Sequence, residues 1–231
     1  MDQTSDSSND LVANLDESVL LPQLGCPSGE VGVAVGDMLE RSNEAVINAS
    51  FDLLDLHAGE QIMEVGLGNG GHIQAVLSRA PGLRYAGVDI SPTMIEVARS
   101  RNAFSIARKQ VVLEVADVSL LPFADHTFDK AVAINTVYFW TSLAAGLREI
   151  RRVLRSNGVL AIAAITPDAA IEMPFAAYGF AVYDALALEL ACMAAGFNQV
   201  RIEPFVEPLT NPQAEAAPRE FFLVSASASN G

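Results

Sequence analysis

The sequence predicts an open, doubly wound α/β sheet. Three observations carry that expectation. Short Val/Ile/Ala runs alternate with helix-like stretches through the middle of the chain, a glycine-rich bend follows the first run, and carboxylates stand at the ends of the next two, Asp89 in "LRYAGVDI" and Asp117 in "QVVLEVAD". Runs that are apolar on both faces suit parallel strands covered by helices on each side.

The elements follow in order. Residues 1–20 are polar and acidic at their start and are expected to be a disordered tail. Residues 21–58 form an N-terminal helical segment: "LPQLGCPSGEVGVAVG" is punctuated by glycine and proline, and "DMLERSNEAVINASFDLLDL" repeats apolar residues at helical spacing. "QIMEVGL" then reads as a strand and "GGHIQAVLSRA" as a helix. "LRYAGVDI" reads as the second strand, and "SPTMIEVARSRNAFSI" as a helix with Ser91 at its cap and Pro92 at its first position. Strand "QVVLEVAD", strand "FDKAVAINTVYF", helix "SLAAGLREIRRVLR" and strand "GVLAIAAI" continue the rhythm. Beyond Thr166 the pattern changes, and residues 166–184 are expected to form a cap. "DALALELACMAAGF" is a helix stopped near Gly196, and "NQVRIEPF" and "REFFLVSAS" are the last two strands. Residues 21–231 are expected to be one domain.

The bend "IMEVGLGNGGHI" fits two spacings. Gly66, Gly68 and Gly71 satisfy the dinucleotide pattern G-x-G-x-x-G, and Glu64, Gly66, Gly68 and Gly70 satisfy E-x-G-x-G-x-G. Either way, bare backbone ahead of a helix N-terminus invites close approach of a ligand. Asp89 stands 23 residues after Gly66, where a carboxylate accepts hydrogen bonds from ribose hydroxyls. These features indicate a nucleoside-bearing ligand without choosing one. Asp117, with Val118 beside it, adds a place for an adenine amine and ring.

With those residues in place, the sequence resembles the class I S-adenosylmethionine-dependent methyltransferases, close to the methyltransferase-11 and ubiquinone/menaquinone groups. "MEVGLGNGG", "GVDIS", "VADVSLLPFADHTFD", "AINTVYFW", "LREIRRVLRSNGVLAI" and "AGFNQVRIE" resemble that family's motifs in order, from Glu60 to Ser225. "RSNG" departs from the usual "K-P-G-G" turn but keeps Gly158. The resemblance implies a Rossmann-like, mostly parallel seven-stranded sheet with helices on both faces and an N-terminal helical lid. It implies S-adenosylmethionine as cofactor. Gly66, Gly68 and Gly70 would lie against its methionine and ribose, Glu64 near its amino group, and Asp89 on the ribose. Ile90 and Met94 would flank the adenosine, Asp117 and Val118 the adenine, and Asn135 the methionine end. Asn43, in the lid, would bond near the cofactor.

The activity so implied is methyl transfer to a small molecule by in-line displacement, which needs alignment and exclusion of water rather than a covalent nucleophile or a metal. Tyr138 and Trp140 are the acceptor-side candidates, each also readable as core. A general base is unassigned, and His72 borders the loop without being chosen. An NAD(P)-dependent oxidoreductase and a non-catalytic S-adenosylmethionine-binding module are the alternatives. The chain has no obvious Tyr-x-x-x-Lys pair, since its lysines are Lys109 and Lys130 alone.

Bulk composition bounds the partners. The chain has 231 residues with 14 Lys+Arg against 28 Asp+Glu, a net charge of −14. That balance argues against nucleic acid or an anionic membrane as the main partner. Cys26 and Cys192 have no zinc-type spacing, and no basic residue precedes Arg41, so a reduced, cytoplasmic protein without a leader is expected.

Overall fold

The computed structural model describes residue 12 and residues 15–171, 180–208 and 218–228. Three helices lead the described chain: α1 (Glu17–Gly25), α2 (Gly29–Ser42) and α3 (Glu44–Leu53). The core then alternates as β1 (Gln61–Val65), α4 (Ile73–Leu77), β2 (Arg84–Asp89), α5 (Pro92–Arg101), α6 (Ala103–Ala107), β3 (Val111–Val115) and β4 (Phe128–Ile134). A 3-10 turn (Val137–Phe139), α7 (Leu143–Val153), β5 (Leu154–Ile165), α8 (Pro167–Ile171), α9 (Ala185–Ala194), β6 (Asn198–Val206) and β7 (Glu220–Ser227) complete it.

The strands form one seven-stranded sheet in the order β3-β2-β1-β4-β5-β7-β6. The first five run parallel, and β7 is antiparallel to both β5 and β6. Ile62, Val88, Val132, Ile162 and Val224 are fully buried along it, as strands covered on both faces require. From β1 the order proceeds to β2 on one side and to β4 on the other. The chain therefore leaves the sheet in opposite directions at the carboxyl ends of β1 and β4. Such a switch point opens a crevice where ligands bind in α/β sheets.

The helices depart from the expected ones in instructive ways. A helix begins at Glu17, capped by Asp16, whose carboxylate accepts from the Ser18 amide at 2.9 Å. The expected tail therefore ends before residue 17; residues 1–11, 13 and 14 lie outside the described residues. Two glycines of "GEVGVAVG", Gly32 and Gly36, serve close packing inside α2 rather than turns, while Gly29 opens the helix with φ +61°. A Cβ on Gly36 would meet Met94 Sδ at 2.8 Å, and one on Gly32 would meet the Pro27 carbonyl carbon at 2.6 Å. The helical segment expected over residues 21–58 is divided at Asn43, between α2 and α3. The helix expected after Ser91 is likewise broken at Asn102, whose Nδ2 reaches back to the carbonyls of Gly70 and Ala98. Ser91 caps α5 as expected, accepting from the Met94 amide at 3.1 Å. Gly196 follows α9 with φ +91°. Of the expected cap, Pro167–Ile171 is helical, and residues 172–179 lie outside the described residues.

Candidate functional site

A cavity of about 690 Å³ occupies the crevice. Its floor is the carboxyl edge of the sheet, and its roof comes from α1, α2 and the Asn43 junction. Of the residues assigned to the cofactor from sequence, Glu64, Gly66, Gly68, Asp89, Ile90, Met94, Asp117, Val118 and Asn135 line it, as do Tyr138 and Trp140. Asp89 and Asp117 thus face one shared space. Gly70 is not among the lining residues. Its φ is +65°, and a Cβ there would lie 2.9 Å from both Ala98 Cβ and Ile73 Cδ1, so its bareness seats the loop against α4 and α5. Gly66 has φ +75°, and a Cβ on it would meet Thr136 Oγ1 at 2.5 Å. That glycine lets β1 and β4 end side by side at the cavity floor.

Asp89 is shaped by the loop above it. Its Oδ2 accepts from the Gly68 amide at 2.9 Å, and its Oδ1 accepts from the Ser91 amide at 2.9 Å. Burial pushes its carboxyl up to about 6, with those two amides pulling the other way. A carboxylate oxygen with one amide bond retains capacity for a ribose hydroxyl. Asp117 sits in the open, and its Oδ1 accepts from the Ser119 amide at 2.7 Å and the Ser119 hydroxyl at 2.6 Å. The Ser119 turn thereby holds the carboxylate in place.

Glu64 is 2% exposed and is held from two sides. Tyr85 donates its hydroxyl to Glu64 Oε2 at 2.6 Å, and His72 Nε2 lies 2.9 Å from the same oxygen. The other His72 nitrogen, Nδ1, lies 3.2 Å from Glu40 Oε2 on α2. Burial alone would strip the imidazole of its proton, but Glu64 and Glu40 overcome it and hold His72 up to about 10. An imidazolium between two carboxylates therefore ties the roof helix to the glycine loop. Sequence reasoning missed this role, because Glu40 is 32 residues from His72. The same helix offers Asp37, whose Oδ1 accepts from Asn69 at 2.8 Å and from Arg101 at 2.7 Å. Asp37, Glu40 and Asn43 recur at helical spacing as one polar stripe, of which Glu40 and Asn43 line the crevice.

At the end of β4 the backbone of Asn135 turns left-handed, with φ +52°. Its Nδ2 donates to Asn43 Oδ1 at 3.2 Å, and its Oδ1 accepts from the Tyr138 hydroxyl at 3.1 Å. The Tyr138 oxygen in turn accepts the Ile165 amide. Burial holds the Tyr138 phenol well above its ordinary range. Tyr138 is thus a proton-bearing, oriented group, and so is His72. Leu20, Leu24, Phe139, Phe180 and Phe221 give this end of the cavity apolar walls.

A family model described as a methyltransferase domain matches residues 63–162. The chain is 35% identical over 129 residues to methyltransferase GfsG of Streptomyces halstedii, covering 56% of this chain and 46% of that one. It is 32% identical over 168 residues to the O-methyltransferase cnsE of Penicillium expansum, covering 72% and 57%. It thus spans about half the length of these relatives. Among solved structures, a chain from the complex of the Haloferax volcanii Trm112 methyltransferase activator with a methyltransferase superposes with a TM-score of 0.72 at 18% identity. That superposition covers 84% of this chain and 94% of the other. In fold, in crevice and in the match over residues 63–162, the chain is thus similar to the class I S-adenosylmethionine-dependent methyltransferases, with their Rossmann-like sheet.

Proposed function

We propose that the protein transfers the methyl group of S-adenosylmethionine to an oxygen nucleophile on a largely apolar small molecule. The observation that carries this reading is one cavity that unites Asp89, Asp117 and the glycine bend with an apolar end at Asn135 and Tyr138. Its volume of about 690 Å³ is ordinary for a small-molecule site. The residues present fit the cofactor. Asp89 would take the ribose hydroxyls, Asp117 and Val118 the adenine, and the bare backbone at Gly66 and Gly68 the methionine side. When bound, the cofactor supplies an electrophilic methyl on a good leaving group. The chain's own contribution is alignment and dryness: the roof helices exclude water, and Asn135 and Tyr138 fix the geometry at the reacting end. The named relative cnsE supports oxygen as the acceptor atom, and the apolar walls support an apolar scaffold.

The test is transfer of isotopically labelled methyl to a panel of apolar phenols and enols, with calorimetry of S-adenosylmethionine against NAD. Methylated product and a preference for the sulfonium cofactor are expected. Tighter binding of NAD overturns the reading. Cys26 and Cys192 are free thiols, which supports a cytoplasmic setting for this reading; separately, among the described residues no helix is long and apolar enough to cross a membrane. Cell fractionation checks that placement.

A further inference from the structure

We infer that Arg219 is a positioning residue for methyl transfer, acting through Asn43 to orient Asn135 at the reacting end of the cavity. The inference rests on the reading of this cavity as the methyl-transfer site. Arg219 immediately precedes β7 and lines the cavity, yet four of its five N–H donors are committed. Its Nε and Nη2 donate to the two carboxylate oxygens of Glu207 at 2.8 Å each. Its Nη1 donates to Asn43 Oδ1 at 3.0 Å, and Nη2 also donates to the Ser42 carbonyl. The guanidinium lies 5.3 Å from the Phe221 ring centre. The bidentate pair with Glu207 neutralises it, which makes it a poor hook for an anionic acceptor and a good fixed donor.

A guanidinium only donates, so it compels Asn43 to turn its carbonyl oxygen toward it. That oxygen then demands a donor from Asn135, which must present Nδ2 and turn its own Oδ1 the other way. From the far end, the Ile165 amide also only donates, so the Tyr138 oxygen accepts and its single hydrogen goes to Asn135 Oδ1. Two donor-only ends thus leave one orientation for each amide between them. The second hydrogen on Asn135 Nδ2 remains as a donor on the cavity wall, held in place from 84 residues away in sequence, 219 − 135. Asn43, the junction of α2 and α3, is the shared joint. Arg219 therefore couples the roof of the site to the tip of β4.

The test compares the wild type with Arg219→Gln, Arg219→Lys, Asn43→Ala and the double variant Arg219→Gln/Asn43→Ala. Hydrogen exchange read by mass spectrometry on segments 41–46 and 134–139 needs no acceptor. Calorimetry gives the cofactor Kd, and labelled-methyl turnover gives kcat and the acceptor KM. Arg219→Gln is expected to speed exchange in both segments and to lower kcat by roughly 10- to 100-fold, as misplacement of a reacting group does. The cofactor Kd should stay within about threefold, since Asp37 and Glu40 still hold α2. Arg219→Lys should not rescue, because an ammonium lacks the fork. The double variant should be no worse than the worse single one. Should Arg219→Gln fail to fold, Asn43→Ala must show the same losses alone. Rescue by lysine, a defect confined to acceptor KM, unchanged exchange over 134–139, or additive losses would each overturn the inference. A wild type that binds cofactor and transfers no methyl sinks the functional reading instead, and the exchange data then decide the positioning role alone.

Discussion

Replacing His72 by glutamine removes a cation that two carboxylates share. In the folded protein His72 is held up to about 10 from an ordinary 6.5, with its side chain 9% exposed. At pH 7 the folded imidazole is protonated and the unfolded one is mostly neutral. The linkage relation then gives about 4 kcal/mol of stability from this group, falling to about 1.5 kcal/mol at pH 9. The sign follows from the raised pKa: the contribution is complete below about pH 6.5 and is lost as pH rises through about 10. An independent route agrees, since removing one partner of a buried ion pair costs about 3–5 kcal/mol. The variant His72→Gln should therefore lose about 4 kcal/mol in urea unfolding at pH 7. For the pH arm, the double variant Glu64→Gln/His72→Gln removes the buried pair as a whole. The wild type should lose about 2.5 kcal/mol more than this control between pH 7 and pH 9. A loss under about 1 kcal/mol in the single variant, or parallel pH profiles, refutes the bridge of charge.

Other consequences are as open to measurement. If, as proposed, ionised Asp89 takes the ribose hydroxyls, cofactor affinity should be flat above about pH 6, the value to which burial raises its carboxyl. Below it, affinity should fall about tenfold per pH unit, and calorimetry from pH 5 to 8 that shows a constant Kd contradicts the role. Gly66→Ala places a Cβ 2.5 Å from Thr136 Oγ1 at φ +75°, so cofactor binding should weaken by roughly two orders of magnitude; Gly66→Ala/Thr136→Gly should recover only part, because the dihedral strain remains. Asp117→Ala should weaken S-adenosylmethionine about tenfold while leaving Tm unchanged, and equal affinity in a direct titration would move the adenine elsewhere.

The sheet was legible because its signal is local. Uninterrupted apolar runs at β1, β2, β4 and β5, a glycine bend after β1, and carboxylates at the ends of β2 and β3 all lie within short windows of sequence. Other features depend on partners far along the chain. Asn102 interrupts a helix in order to satisfy the carbonyl of Gly70, 32 residues away, and nothing in "RSRNAFS" announces that bond. Asn43 is joined to Arg219 across 176 residues and to Asn135 across 92. His72 looked like a bystander because its charge is set by Glu40 and Glu64 together. Gly70 fitted a spacing yet serves packing, since spacing alone does not distinguish a glycine that faces a ligand from one that faces a helix.

The distribution of charge along the cavity bears on the chemistry itself. Methyl transfer turns a sulfonium into a neutral thioether, so positive charge leaves the sulfur as the bond breaks. A carboxylate against that sulfur would stabilise the starting state more than the transition state and slow the reaction. On the proposed placement of the cofactor, the carboxylates Glu64, Asp89 and Asp117 face the amino group, ribose and adenine, parts whose charge does not change. At the proposed reacting end stand Asn43, Asn135 and Tyr138, all neutral, and Arg219 cancelled by Glu207. Carboxylates that bind and neutral dipoles that orient are thus kept apart. The substitution Asn135→Asp would break that separation, and it would set two acceptors, the introduced carboxylate and Asn43 Oδ1, against each other in the relay.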